Sequence, residues 1–222
     1  MNIILPGIDY VFDLGQGECT NIIIENQRLL YEIVLDISAQ TEGLEGKAIL
    51  SDNNKMLSFD KKCELISQFA PFDINRKNLL TKISSVTVKK TAEEKFFMRT
   101  SEFLADWERY LMEISFDMVG NFEFTKISAD SLVKASGLQI ENNYESLGEK
   151  LLDYFELVRE YDAAKLFVLV NLRSFMSDEE TEKFTEDVLR RELQILMLEG
   201  SERKILQFEK RYIVDNDLCV IY

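Results

Sequence analysis

Between Leu166 and Val170 the chain runs through an unbroken apolar stretch, LFVLV, and closes it on Asn171. A short apolar run bounded by polar residues reads as a strand buried on both faces, because a surface strand would alternate. A polar loop follows, and then Ser177-Asp178-Glu179-Glu180 opens a helix. That tetrad is a capping box: the Ser177 hydroxyl accepts from the Glu180 N–H while the Glu180 carboxylate reaches back to the Ser177 N–H. Strand, loop and helix form the repeating unit of nucleotide-binding α/β sheets. In an active nucleotidase a strand of this kind commonly ends in an Asp that works through Mg²⁺. Here it ends in a neutral amide. The chain is either a nucleotide enzyme with a variant site or a nucleotide-enzyme framework put to another use.

Two textures alternate around this unit. Residues 20–25 (TNIIIE) read as a strand, and Asn26 caps a helix through about Ala39, with Leu29, Leu30, Ile33, Val34 and Ile37 on one face. Short strands are expected at 47–51 and 55–59, then a buried strand at 63–69. The middle is different. Thr91-Ala92-Glu93-Glu94 reads as a second capping box, and behind it Phe96, Phe97, Phe103, Leu104, Trp107, Tyr110, Leu111 and Ile114 recur at helical steps. The spacing predicts one long helix over about 92–117, with further helices at 128–136 and 145–161. Strand–helix–strand texture then returns at 165–170, 177–191 and 193–198, with a closing pair at 210–214 and 218–222. The predicted architecture is α/β: a discontinuous head, 1–75 with 162–222, interrupted by an all-helical leg at 76–161.

Composition removes most catalytic classes. The 222 residues contain no histidine, so Ser–His and Cys–His nucleophile pairs and His-ligated metals are excluded. Any metal is a hard cation held by oxygens. Cys19, Cys63 and Cys219 are odd in number and far apart, which argues against zinc ribbons and disulfide frameworks and for buried, inert thiols. No apolar run approaches the roughly 18 residues of a membrane helix, and MNIILPGIDY lacks a basic flank and a cleavage site. A cytoplasmic protein without membrane contact is expected.

The net charge of −14 opposes binding to polyanions, but its distribution is uneven. From Lys61 to Arg99 nine basic residues face four acidic ones, and no acid falls between Asp73 and Glu93. A solvated face with chance clustering would also account for this. Phosphate loops are missing. GLEGKA, Gly43 to Ala48, has two residues between its glycines rather than four, and Ala48 stands where Mg²⁺ needs a hydroxyl. LGQGE, Leu14 to Glu18, places a carboxylate where a cation belongs. Both read as turns, so nucleotide hydrolysis is not expected.

A family resemblance rests on order rather than on any single motif. SDNNKMLSF followed by LISQFAPFDINRKNLL offers a polar turn, a strand, an aromatic-Asp-x-Asn sequence at Phe72, Asp73 and Asn75, and a helix. KLFVLVN, FMSDEE, LQILMLE and RYIVDND then follow in the order of closing strands. The chain resembles the small Csn-family adaptation protein of type II-A CRISPR loci. The resemblance implies a nucleotide-kinase-like head with a degenerate P-loop, a helical leg, a ring-shaped homotetramer, and calcium-supported binding of double-stranded DNA ends. Its role would be spacer acquisition beside the integrase complex and the effector nuclease of the same locus. DNA contact is expected at Arg76, Lys77, Lys82, Lys89, Lys90 and Lys95. The family's calcium-holding acidic cluster corresponds here only to Glu113, Asp117 and Glu123, which ordinary surface acids would equally explain. Two other readings stand beside this one: a diverged nucleotide-binding α/β enzyme, and a protein-only scaffold.

Overall fold

The structure, a computed structural model, describes residues 1–15 and 19–221. It divides into two compact units, Met1–Ile74 with Asn142–Tyr222, and Asn75–Glu141.

The first unit holds two sheets. β1 (Asn2–Ile4), β2 (Val11–Asp13), β4 (Ile49–Asp52) and β5 (Lys55–Leu57) form a four-stranded antiparallel sheet in the order β2-β1-β4-β5. The larger sheet is built from β3 (Cys19–Ile24), β6 (Cys63–Ile66), β7 (Leu166–Val170), β8 (Ile195–Glu199), β9 (Glu209–Val214) and β10 (Val220–Ile221). Its order is β10-β9-β3-β8-β7-β6, with β9 through β6 all parallel and β10 antiparallel at the edge. Every residue of β3, β7 and β8 is buried. Alternation explains the two cores this creates. Ile22, Ile24, Leu166, Val168, Leu196 and Leu198 face Ile33 and Ile37 of α1 (Gln27–Thr41), together with Phe12 and Leu50 of the small sheet. On the other face Phe167 stacks on Phe155 of α6 (Leu147–Asp162), ring centroids 4.2 Å apart, and Phe155 also meets Phe184 of α7 (Asp178–Arg190). The four-residue α2 (Phe59–Lys62) leads into β6.

The second unit contains α3 (Lys77–Thr91), α4 (Glu94–Phe116) and α5 (Ala129–Ala135), and no strand among the described residues. α3 packs against both α4 and α5. Asn75 closes the unit's two ends: its Oδ1 accepts from the Ile140 N–H at 2.7 Å and its Nδ2 donates to the Ile140 carbonyl at 3.1 Å. α3 is the helix that the family resemblance places after Asn75.

Several expectations need correction. The capping box at Thr91–Glu94 does not form, because α3 runs through Thr91, whose hydroxyl donates back to the Val88 carbonyl at 2.7 Å. α4 starts instead from Glu93, with no side-chain cap bond. The helix expected at 145–161 lies in the first unit rather than with the inserted helices. Leu151, Leu152, Tyr154, Phe155 and Val158 are buried there, and the Tyr154 hydroxyl donates to Glu64 of β6 at 2.6 Å. The strand expected at 63–69 ends at Ile66. Cys219 is exposed; Cys19 and Cys63 are buried, and burial pushes the Cys19 thiol up to about 12 and the Cys63 thiol higher still.

Candidate nucleic-acid interface

In an open parallel sheet, ligands bind at the carboxyl ends of strands where the order reverses, which here is the end of β3 between β8 and β9. The turn leaving β3 is only Glu25 and Asn26. A phosphate loop needs several glycine-rich residues whose N–H groups wrap the anion. Here the first turn of α1 is already capped, since Asn26 Oδ1 accepts from the Leu29 N–H at 3.0 Å. Next to it stands Glu25, a residue of the wrong charge for an anion site.

Asn171 is occupied as well. It sits in the left-handed region (φ 56°), which Asn tolerates better than most side chains. Its N–H donates to the Leu198 carbonyl at 2.8 Å, and its Oδ1 accepts from the Gly200 N–H at 2.9 Å. The side chain sews the end of β7 to the end of β8. GLEGKA is a turn held by one carboxylate: the Lys47 and Ala48 N–H groups both donate to Asp36, at 2.7 and 2.8 Å. In LGQGE, residues 16–18 lie outside the described residues.

Beneath α7 lies a buried ionic layer that the sequence reading missed. Arg173 is buried and donates from Nη2 to Asp178 at 2.7 Å and to the Lys204 carbonyl at 2.8 Å. Its backbone N–H donates to Glu199 at 3.1 Å. Glu209 accepts from Asn21 Nδ2 at 2.7 Å, Arg211 Nε at 2.8 Å and the Leu206 N–H at 2.8 Å. Burial pushes the Glu199 carboxyl up to about 7, against the pull of the Arg173 N–H. A glutamate ending the apolar run LQILMLE was the available signal. Arg173 Nη1 lies 3.8 Å from Glu209 and, like Nε, makes no hydrogen bond among the described residues.

The predicted cation cluster falls mainly on one helix. Arg76 is the N-terminal flanking residue of α3, and Lys77, Lys82, Lys89 and Lys90 lie on α3 and are exposed. Lys82 and Lys89 are seven residues apart, two helical turns, so they share a face; Lys77 and Lys90 point to other sides. Lys95 is on α4, with its ammonium 5.1 Å from the Phe96 ring centroid. Lys89 and Lys90 also occupy the last turn of α3, where cations complement the helix dipole. No Asp or Glu occurs in α3. Of the 26 basic and 40 acidic residues, ten of each lie in 75–141. The second unit is therefore neutral, and the first carries the whole −14.

Glu113, Asp117 and Glu123 are all exposed. Asp117 terminates α4, its N–H donating to the Ile114 carbonyl at 3.2 Å. Calcium wants six to eight oxygens. Among the described residues no group of three or more His, Cys, Asp or Glu side chains is arranged to hold a metal ion. The trio does not fit calcium within one chain.

The fold and these contacts define a parallel α/β protein whose two-residue turn after β3 leaves no room for a phosphate loop, together with a neutral helical unit that holds a carboxylate-free basic helix. Residues 40–218 match the family profile described as CRISPR-associated protein (Cas_Csn2), and the chain belongs to that family. It is similar to the CRISPR-associated protein Csn2 of Enterococcus faecalis, 24% identical over 96 residues that span 43% of this chain and 42% of that relative. Two solved structures bear a loose likeness. One is an ATP-binding cassette of an ABC transporter in its ADP conformation, with 11% identity, 92% of this chain and 79% of that chain covered, and a TM-score of 0.44. The other is a nucleotide-free ATP-binding cassette, with 13% identity, 96% and 87% covered, and a TM-score of 0.45. No helix of the structure is long and apolar enough to cross a membrane among the described residues.

Proposed function

We propose that this chain is a non-enzymatic protein that binds double-stranded DNA ends in the cytoplasm during CRISPR spacer acquisition, assembled as a homotetrameric ring. It would act beside the integrase complex and effector nuclease of its locus. The observation that carries this reading is α3: four exposed lysines and no carboxylate on a 15-residue helix, in a chain of net charge −14. A protein this acidic binds a polyanion only where cations are gathered, and symmetry gathers them further. α4 supports the assembly. It buries none of its residues, and Phe96, Phe103, Trp107, Tyr110 and Ile114 line one face at seam-like spacing. The two-residue turn after β3 supports a non-enzymatic role. Calcium enters as an added condition of the assay; no step is assigned to it.

Contacts from lysines go to phosphates and position without reading sequence. Fluorescence anisotropy with linear and circular duplexes, with and without calcium, tests the reading. Wild-type binding should be independent of sequence, should favour linear DNA, and should fall with salt at a log–log slope of about −0.9 per phosphate neutralised. Lys82→Glu with Lys89→Glu should weaken binding to every sequence and flatten that slope, with the oligomer intact. Normal binding by this double variant, together with loss on reversing Arg190 and Arg191, would move the interface to α7. ATP or GTP turnover abolished by substitutions in the first unit would favour the enzyme reading.

A further inference from the structure

We infer that the first unit carries a docking pocket for an arginine-bearing segment of another protein, set between the start of α6 and one side of α7. A cavity of about 510 Å³ opens there. Its floor is apolar: Leu152, Met176 and Phe184 are buried, and Phe175 in the wall is half exposed. Gly148 packs closely on that floor, where a Cβ would meet Met176 Cε at 3.3 Å and Phe184 Cβ at 3.6 Å.

The rim is acidic, with Glu145, Glu149, Glu180 and Asp187. Glu149 accepts from the Glu145 N–H and Glu180 from the Ser177 N–H, so both carboxylates are held in place at the rim. Asp187 gives Oδ1 to Arg190, which lies outside the pocket. Arg191 and Lys183 also line the cavity. Arg191 is already neutralised, 3.1 Å from Glu156 and 3.7 Å from Asp153, as Asp187 is by Arg190, so Lys183 alone opposes the three carboxylates of Glu145, Glu149 and Glu180.

An apolar floor below a carboxylate rim fits an aliphatic stem that ends in a cation. Arginine fits better than lysine, because its planar guanidinium stacks on an exposed ring such as Phe175 and forks onto carboxylates. The partner's class follows from charge. This unit holds 30 acidic and 16 basic residues, a field that repels nucleic acid and draws in a basic polypeptide.

The test uses the full chain and a fluorescein-labelled nonapeptide of alternating Leu and Arg, with the Leu/Glu peptide as control. The Arg peptide should bind and the Glu peptide should not. Glu145→Lys and Phe175→Ser should each weaken binding about tenfold, the loss of one anchor residue, with circular dichroism and DNA affinity unchanged. Equal binding by wild type and both variants would reduce the effect to diffuse attraction and overturn the pocket. So would a change of oligomeric mass in Glu145→Lys, which would make a second copy the occupant, or displacement of the peptide by duplex DNA. Because the DNA interface is read separately through Lys82 and Lys89, this inference and the proposed function fail independently.

Discussion

In the unit built on the parallel sheet, every residue of β3, β7 and β8 is buried and helices cover both faces; in the helical unit, the 23 residues of α4 include none that is buried. Apolar content does not separate them, since α4 alone displays Phe97, Met98, Phe103, Tyr110, Met112 and Phe116. What differs is where the partner surface comes from. The sheet finds its partners in the same chain, because the connections between its parallel strands carry helices that pack on both faces. α4 has an apolar seam that one chain leaves uncovered. Charge divides along the same line, with the self-sufficient unit carrying the whole −14 and the uncovered one carrying none.

The sharpest way to break this comparison is to remove one aromatic ring from each unit. Phe155 is fully buried and stacked on Phe167, so Phe155→Ala should cost about 3–5 kcal/mol. Phe116 is 85% exposed and Phe103 58%. Phe103→Ser with Phe116→Ser should therefore leave the fold of the dilute chain within about 0.5 kcal/mol of wild type. The same pair should lower the mass seen by light scattering. Denaturant unfolding and scattering read the two effects separately. A double variant that unfolds as readily as Phe155→Ala would show that α4 is held within the chain.

Next in size is the ionic layer under α7. Arg173→Met takes the cation from Asp178, whose side chain is 43% exposed, and from Glu209, which keeps Arg211, so the cost should be that of a lost charged hydrogen bond, about 1.5–3 kcal/mol. Urea unfolding checks it. A loss below about 1 kcal/mol would mean that Arg211, 2.8 Å from Glu209, suffices alone.

A smaller effect belongs to Glu199. Burial raises its carboxyl from 4.5 to about 7, despite Arg173 and Arg203 nearby and with Glu209 adding to the rise. A raised pKa means that the folded state holds the proton more tightly than the unfolded chain. The contribution is fully present below pH 4.5 and is lost as pH climbs through about 7. Glu199→Gln should therefore be more stable than wild type at pH 8, with the gain shrinking toward pH 5. A melting-temperature difference that does not change over this range would contradict the assignment.

The comparison also shows which features were legible in the sequence. Fully buried strands announce themselves as unbroken apolar runs, so β3, β7 and β8 stood within a residue or two of their expected places. Three-residue strands such as β1 and β2 are too short for alternation to register. The ionic layer joins Arg173 to Glu209, 36 positions apart, and only the sheet order brings them together. The lysines of the candidate interface were visible as types. Which of them share a face depended on where α3 begins and ends. That boundary was obscured because Thr91-Ala92-Glu93-Glu94 reads equally as the end of one helix and the start of another.

The smallest predicted effect separates two tetrads that look alike in sequence. At Ser177 the box is closed: the hydroxyl accepts from the Glu180 N–H at 3.2 Å, and Glu180 accepts from the Ser177 N–H at 2.8 Å. Donation from the Ser177 N–H, and then from its side chain, holds the Glu180 carboxyl below its ordinary value. Ser177→Ala should cost about 1 kcal/mol, because a helix N–H loses its acceptor. At Thr91 the hydroxyl instead donates to the Val88 carbonyl, whose place is already in the last turn of α3. Thr91→Ala removes no cap and exchanges a β-branched residue for a better helix former, so its effect should stay within about 0.5 kcal/mol of zero. Paired urea melts decide between them. Equal losses would mean that the second box forms in solution and that α4 begins where the sequence first placed it. A loss confined to Ser177→Ala would show that the same four-residue pattern caps a helix only where the preceding chain is not already helical.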